Sequence, residues 1–166
     1  MAASPYVSDM NDLLSQSMQI ITALNDAGVD YVVIGGVAMN LHGLVRATED
    51  LDLFVKAEET NIARLRQALR AVYDHPCIDE ITAADLCGEY PAVRYGPPAG
   101  TLYLDILTRP GEAVHYEDLE IEVVDLEGVL VQVASPRSLH AMKKGTLRMK
   151  DHADAEALRR VFGLDD

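Results

Sequence analysis

Tyr31-Val-Val-Ile-Gly-Gly-Val-Ala-Met-Asn-Leu41 and, after eight further residues, Asp50-Leu-Asp-Leu-Phe-Val55 form the stretch that decides how this chain folds. Tyr31 to Ile34 is a short, β-branched apolar run, the pattern of a strand buried on both faces. Gly35-Gly36 breaks the run, and Val37 to Leu41 reads as a short helix. Leu51 to Val55 is a second strand. Because side chains alternate along a strand, Asp50 and Asp52 share one face and Leu51 and Leu53 the other.

Outward from this centre, strands and helices intermix. Residues 9–27 carry Met10, Leu13, Leu14, Met18, Ile21 and Leu24 at helical spacing, with Ser8 or Asp9 as the cap and Gly28 just past the end. Residues 58–73 repeat the pattern with Ile62, Leu65, Leu69 and Val72. Asp74 to Glu89 is polar and broken, a loop with at most one strand. Pro91 to Tyr95 is a candidate strand, Gly96-Pro-Pro-Ala-Gly100 a turn, and Thr101 to Leu107 a strand carrying Asp105. Leu119 to Val123 and Val129 to Val133 flank Asp125-Leu-Glu-Gly128 as a hairpin. Ser135-Pro136 starts a helix over 136–146, with Ser as cap and Pro at the first position, and a second helix over 150–162 is entered at Asp151. The expected class is α/β (α+β), a small mixed sheet flanked by helices. We expect one domain over 1–166, with a core at 29–134 and a helical part at 135–163.

Composition narrows the function. The 166 residues hold 27 Asp and Glu against 14 Lys and Arg, a net charge of −13, which opposes non-specific binding to a polyanion. Seven of those fourteen basic residues nevertheless lie between Arg137 and Arg160. No apolar run reaches the ~18 residues of a membrane span, and the start has no basic segment leading into an apolar one. Cys77 and Cys87 have neither a disulfide framework nor zinc-site spacing, so a cytoplasmic protein with reduced thiols is expected. His42 reads as a packing histidine at a helix end and His140 as a helix-surface one; His75, His115 and His152 have no ligand spacing. Tyr90, Tyr95 and Tyr103 read as sheet-packing aromatics rather than base-stacking ones.

The chemistry concentrates in residues 34–53. A strand ending in Gly-Gly lets backbone approach a ligand closely, and Asp50-x-Asp52 offers two carboxylates on one face. Such a pair repels itself unless a cation sits between, and it suits Mg²⁺ held together with substrate phosphates. Asp105, on an apolar strand, is a candidate third carboxylate, and three make a two-metal arrangement available. The fingerprint Gly-x-Gly-x-x-Gly of a dinucleotide fold is absent, as is the Gly-Lys-Ser/Thr of a Walker ATPase.

Ile34-Gly-Gly36, thirteen residues, then Asp50-Leu-Asp52-Leu53 resembles the signature of the DNA polymerase β-like nucleotidyltransferase superfamily. More narrowly, Gly35-Gly-Val-Ala38, His42-Gly43, Arg46-x-Thr48, Asp50-x-Asp52 and Phe54-Val55 resemble the minimal nucleotidyltransferases of the AbiEii/MenT type, many of them toxins of toxin–antitoxin pairs. Val133-Ala-Ser-Pro136, Leu139, Ala141-Met-Lys143, Arg148-x-Lys150-Asp151 and Asp154 resemble the closing helices of that lineage. The resemblance implies a nucleotidyltransferase that moves a nucleoside monophosphate from a triphosphate such as ATP to an acceptor hydroxyl: a tRNA 3′ end, a protein or a small molecule. It implies Gly35 and Gly36 at the triphosphate, and Asp50, Asp52 and Asp105 as ligands of Mg²⁺ (or Mn²⁺), with Asp105 acting on the acceptor hydroxyl. Lys143 would stabilise phosphate charge. Arg46 and Thr48 would support the metal strand or touch phosphate, and Asp151 and Asp154 would orient the lysine or continue the rear face of the nucleotide pocket. It also implies a cognate antitoxin as partner; that no membrane is expected follows from the apolar runs, which are too short to span one. Val37 stands where many members carry Ser, which removes one hydroxyl contact to phosphate. The alternative from another class is a non-catalytic scaffold or antitoxin-type binding protein of the same fold, which would be free to lose the three carboxylates that this chain keeps.

Overall fold

The structure is a computed structural model that describes residues 5–89, 91–97, 102–109 and 114–165, with side chains from Asp12 onward. The described residues form six helices, α1 (Pro5–Asp26), α2 (Gly35–Leu41), α3 (Glu59–Tyr73), α4 (Ala83–Leu86), α5 (Pro136–Lys144) and α6 (Met149–Phe162), intermixed with six strands. The strands are β1 (Tyr31–Ile34), β2 (Asp50–Val55), β3 (Ala92–Tyr95), β4 (Tyr103–Leu107), β5 (Ile121–Leu126) and β6 (Val129–Ala134). They form one mixed sheet in the order β3-β4-β2-β1-β6-β5. β1 runs antiparallel to β2 and parallel to β6; β4 runs parallel to β2 and antiparallel to β3. The mixed α/β class expected from the sequence is therefore the one observed.

Central strands are apolar because both their faces are covered. All four residues of β1 are buried, as are Leu51, Leu53, Phe54 and Val55 of β2. α1 and α3 lie against each other and supply Ile20, Ile21, Leu24, Ile62, Leu65 and Leu69 to the same core. Asn61, on α3, is a fully buried polar residue. Its side chain accepts from Asp30 N (2.8 Å) and donates to Asp30 O (3.0 Å) and Lys56 O (2.9 Å), which ties α3 to the start of β1 and the end of β2. Asn61→Ala is expected to lower stability by about 3 kcal/mol, since it leaves backbone groups unpaired in the interior. For a chain of this size that is a fall of roughly 6–12 °C in melting temperature, read by circular dichroism; a change under ~2 °C would show that the three bonds are dispensable.

Several boundaries differ from expectation. α1 begins at Pro5, so Ser8 and Asp9 lie within its first turns instead of capping it; the side chain of Met10 is outside the described residues. α2 begins at Gly35 itself, directly at the strand end. Residues 74–89 hold a 3₁₀ turn (Pro76–Glu80) and α4, and no strand, because His75 and Thr82 each cap a short turn through their side chains. The hairpin strands are longer than read, since the turn shrinks to Glu127-Gly128. Both residues have positive φ (52° and 90°), which matches the twist of a two-residue hairpin. α6 starts at Met149, which places Asp151 inside its first turn, not at its entrance. Ser135 caps α5 as expected, accepting from Ser138 N at 3.1 Å. Of the expected turn 96–100, only Gly96 and Pro97 are described, and Tyr90 and Thr101 are also outside the described residues. No helix among the described residues is long and apolar enough to cross a membrane.

Candidate active site

Sheet register gathers the three sequence-predicted carboxylates. Asp52 pairs with Ile34 on one side and Asp105 on the other, and Arg94 of β3 pairs with Asp105. Arg94, Asp105 and Asp52 thus form a row across three strands, and Asp50 lies two residues along β2 on the same face. Arg94 grips Asp105 with two hydrogen bonds, Nε to Oδ1 at 2.8 Å and Nη2 to Oδ2 at 2.9 Å, and reaches Asp50 Oδ2 at 3.2 Å.

The Gly-Gly turn closes over this row from β1. Gly35 has φ +70°, and a Cβ added to it would lie 1.9 Å from Asp52 Oδ2, inside any contact distance. A Cβ on Gly36 would lie 2.8 Å from Thr48 Cβ. The glycines therefore have a structural duty besides any ligand: Gly35 makes room for the Asp52 carboxylate and Gly36 for Thr48. Thr48 in turn donates from Oγ1 to Asp50 O (3.1 Å) and accepts from Asp50 N (3.4 Å), which pins the first residue of β2.

The helical half supplies a second cluster. Lys143, on the last turn of α5, is buried, and its Nζ reaches Asp154 Oδ2 at 2.9 Å and Asp151 Oδ1 at 3.4 Å. Arg46 pairs with Asp154 as well, and Thr146 Oγ1 donates to Asp151 Oδ2 at 2.8 Å. Burial pushes the Asp151 carboxyl upward, but the Thr146 hydroxyl and Lys143 outweigh it and hold the group below its ordinary value.

Electrostatics separate the two clusters. At the rear, two cations face two carboxylates and the charge balances. At the front, three carboxylates are paired among the described residues with one cation, Arg94, and negative charge is left in excess. Asp52 bears the consequence: burial first, then Asp105 and Asp50, push its carboxyl up to about 7, and Lys143 counteracts only in part. That interaction also shows that the rear lysine is near enough to sense the front carboxylates. Among the described residues no three His, Cys, Asp or Glu side chains are drawn together closely enough to hold an ion as they stand. The donor chemistry nevertheless fits a hard divalent cation: oxygen ligands only, on one face, with charge in excess.

Sequence reasoning missed Arg94. The available signal was the Gly/Pro turn between two short strands, which marks a hairpin and so brings a cation on the first strand near a carboxylate on the second. The histidines divide. His42 packs as expected, with Nε2 2.8 Å from Ala134 O and its ring edge-on to Phe162, whereas His140 is buried rather than on the surface, because α6 covers that side of α5. Tyr95 is buried beside Tyr73, and Tyr103 is exposed beneath Arg94. Cys77 and Cys87 are both free and exposed.

A carboxylate row fronted by a strand–Gly-Gly–helix turn, on a mixed sheet closed by two helices, is the arrangement of a nucleotidyltransferase fold. A solved nucleotidyltransferase-like antigenic protein from Paracoccidioides brasiliensis superposes on 91% of this chain and 77% of its own with a TM-score of 0.58 at 18% identity. Residues 20–165 match the family described as nucleotidyl transferase AbiEii toxin, type IV toxin–antitoxin system, and the chain belongs to that family. No curated protein matches the sequence.

Proposed function

We propose that the protein is a divalent-metal-dependent nucleotidyltransferase that transfers a nucleoside monophosphate to an acceptor hydroxyl, and that it acts as the toxin of a toxin–antitoxin pair. The observation that carries this reading is the unbalanced carboxylate row: Asp50, Asp52 and Asp105 hold more negative charge on one face than Arg94 offsets, with Asp52 raised to about 7. Asp50, Asp52 and Asp105 would hold Mg²⁺ or Mn²⁺, which when bound neutralises the triphosphate and lowers the pKa of the attacking hydroxyl.

The chain's own groups have separable tasks. Gly35 and Gly36 present bare backbone to the triphosphate of ATP or another nucleoside triphosphate. Asp105, once Arg94 leaves it, takes the proton of the acceptor hydroxyl as the hydroxyl oxygen bonds to the α-phosphorus and pyrophosphate leaves. Lys143 places a fixed positive charge behind the phosphates, where charge builds up in the transition state. Asp151 and Asp154 aim the lysine, and Arg46 and Thr48 tie the loop before β2 to α6 and to Asp50. Positioning and electrostatics thus supply the catalysis, without a covalent intermediate. The sheet and helical halves of the site lie on one chain, and we take residues 1–166 to work as a unit. Two free thiols and a triphosphate substrate suit the cytoplasm. The basic stretch from Arg137 to Arg160, which also carries Lys143, favours a nucleic-acid acceptor such as tRNA over a small molecule.

The test is transfer of label. Purified protein with Mg²⁺ and each α-labelled nucleoside triphosphate in turn is given total tRNA, total protein or no acceptor. Label should enter one acceptor, and Lys143→Met should reduce the rate by at least about a hundredfold, the usual effect of removing a charge-stabilising group. No label in any acceptor, together with no nucleotide binding by calorimetry, would leave the non-catalytic scaffold as the reading.

A further inference from the structure

Arg94 occupies ground that a divalent ion would need. Its guanidinium satisfies both oxygens of Asp105 and one of Asp50, two of the three carboxylates on the row. It does so from an edge strand, with its side chain 57% exposed, so that it can leave without disturbing the core. In that same pose it also rests over an aromatic ring. The Tyr103 ring lies 5.3 Å from the Arg94 guanidinium carbon. One edge of that ring lies against Gly96, where an added Cβ would be 2.8 Å from Tyr103 Cε1. The absent side chain at 96 is thus what lets an aromatic platform lie beneath the arginine, and an exposed cation over a ring face is held weakly and reversibly.

We propose that Arg94 is an internal counter-cation, which holds Asp50 and Asp105 in the ion-free protein and must be displaced from them before a divalent ion can bind. This rests on the metal reading given above and adds a residue to it. An arginine is suited to the part because its planar fork matches a carboxylate in two bonds, yet it lacks the charge density to bring three carboxylates to one point. Asp50 and Asp105 are accordingly satisfied while Asp52 is left outside the guanidinium's bonds. Tyr103 keeps the displaced side chain at the rim, on the same face as the site.

The experiment is Mn²⁺ binding to the full chain, read from the electron paramagnetic resonance signal of the free ion, with no nucleotide present. Arg94→Gln and Arg94→Ala should each bind Mn²⁺ about five- to tenfold more tightly than the parent, the ratio carried by a part-exposed charge-assisted contact. Millimolar methylguanidinium should return the Arg94→Ala affinity toward that of the parent, a rescue that loss of structure could not produce. Equal or weaker binding by both variants, where the parent binds, would overturn the role of Arg94 and leave the metal site standing. Absence of Mn²⁺ binding in the parent and in both variants would overturn the metal reading itself, and this proposal with it.

Discussion

Asp52→Asn is expected to abolish transfer, by about a thousandfold or more, and at the same time to make the metal-free protein more stable above neutral pH. The two effects have one origin. Asp52 lies at the inner end of the carboxylate row, beneath Gly35 and beside Asp105, and its carboxyl is held at about 7 by burial and by its two neighbours. In an unfolded chain the same group ionises near pH 4. Below that value it is protonated in both states and carries no penalty. As pH rises to about 7, the unfolded chain has already ionised while the folded one resists, and folding stability falls across that window. A rise from 3.8 to about 7 corresponds to about 4 kcal/mol at 1.36 kcal/mol per pH unit. Since burial is the largest cause of that rise and a buried amide also loses its hydration, we expect about half of it, ~2 kcal/mol, to be recovered by an amide of the same shape. In chelator, melts of parent and Asp52→Asn should coincide near pH 4 and diverge by roughly 4–8 °C at pH 8, with the variant higher. Adding Mn²⁺ should raise the parent and leave the variant unmoved, since only a state that binds ligand gains from it. A variant less stable than the parent at pH 8 in chelator would mean that the row bears no excess charge.

The sequence carried the two halves of this site in different degrees. Asp50 and Asp52 could be placed on one face because strand alternation is local, and the strand break at Gly35-Gly36 needs only the two residues themselves. Asp105 could be named as a third carboxylate, but its register opposite Asp52 could not be read, because β2 pairs with β4 across residues 56–102 and nothing in either strand specifies that neighbour. Arg94 was lost for the same reason: its meaning depends on the register Arg94 to Asp105. Element ends failed where short-range capping competes with periodicity. Asp151 resembles a helix cap, yet its carboxylate is taken by Thr146 and Lys143, and the helix starts earlier. Residues 74–89 lack periodicity altogether, so the side-chain caps of His75 and Thr82 settle their form. His140 was misplaced because the burial of one helix face depends on where the next helix lies. The local rules thus placed the carboxylates, and the long-range pairings supplied their counter-charges.

Gly35→Ala tests whether the turn was built around the carboxylate. Its direct cost has two parts. Alanine at φ +70° loses about 1–2 kcal/mol, because a Cβ crowds the backbone in the left-handed region. The remainder is collision, since that Cβ would lie 1.9 Å from Asp52 Oδ2 and 2.8 Å from its Cγ. The carboxylate has little freedom to retreat, for β2 is paired on both sides and Asp105 repels it from the next strand. We expect a total near 4 kcal/mol, a drop of roughly 8–16 °C in melting temperature, and loss of transfer by more than about a hundredfold. The decisive measurement is a double-mutant cycle with Asp52→Gly, which removes the obstructing carboxylate. In that background Gly35→Ala should cost only the ~1–2 kcal/mol of backbone strain, leaving a coupling of ~2 kcal/mol between the two positions. Transfer should stay absent in the double variant, because relief of the collision does not restore the missing ligand. An equal cost of Gly35→Ala in both backgrounds would show that the glycine answers to the turn alone, and that the close approach of the two residues has no bearing on the site.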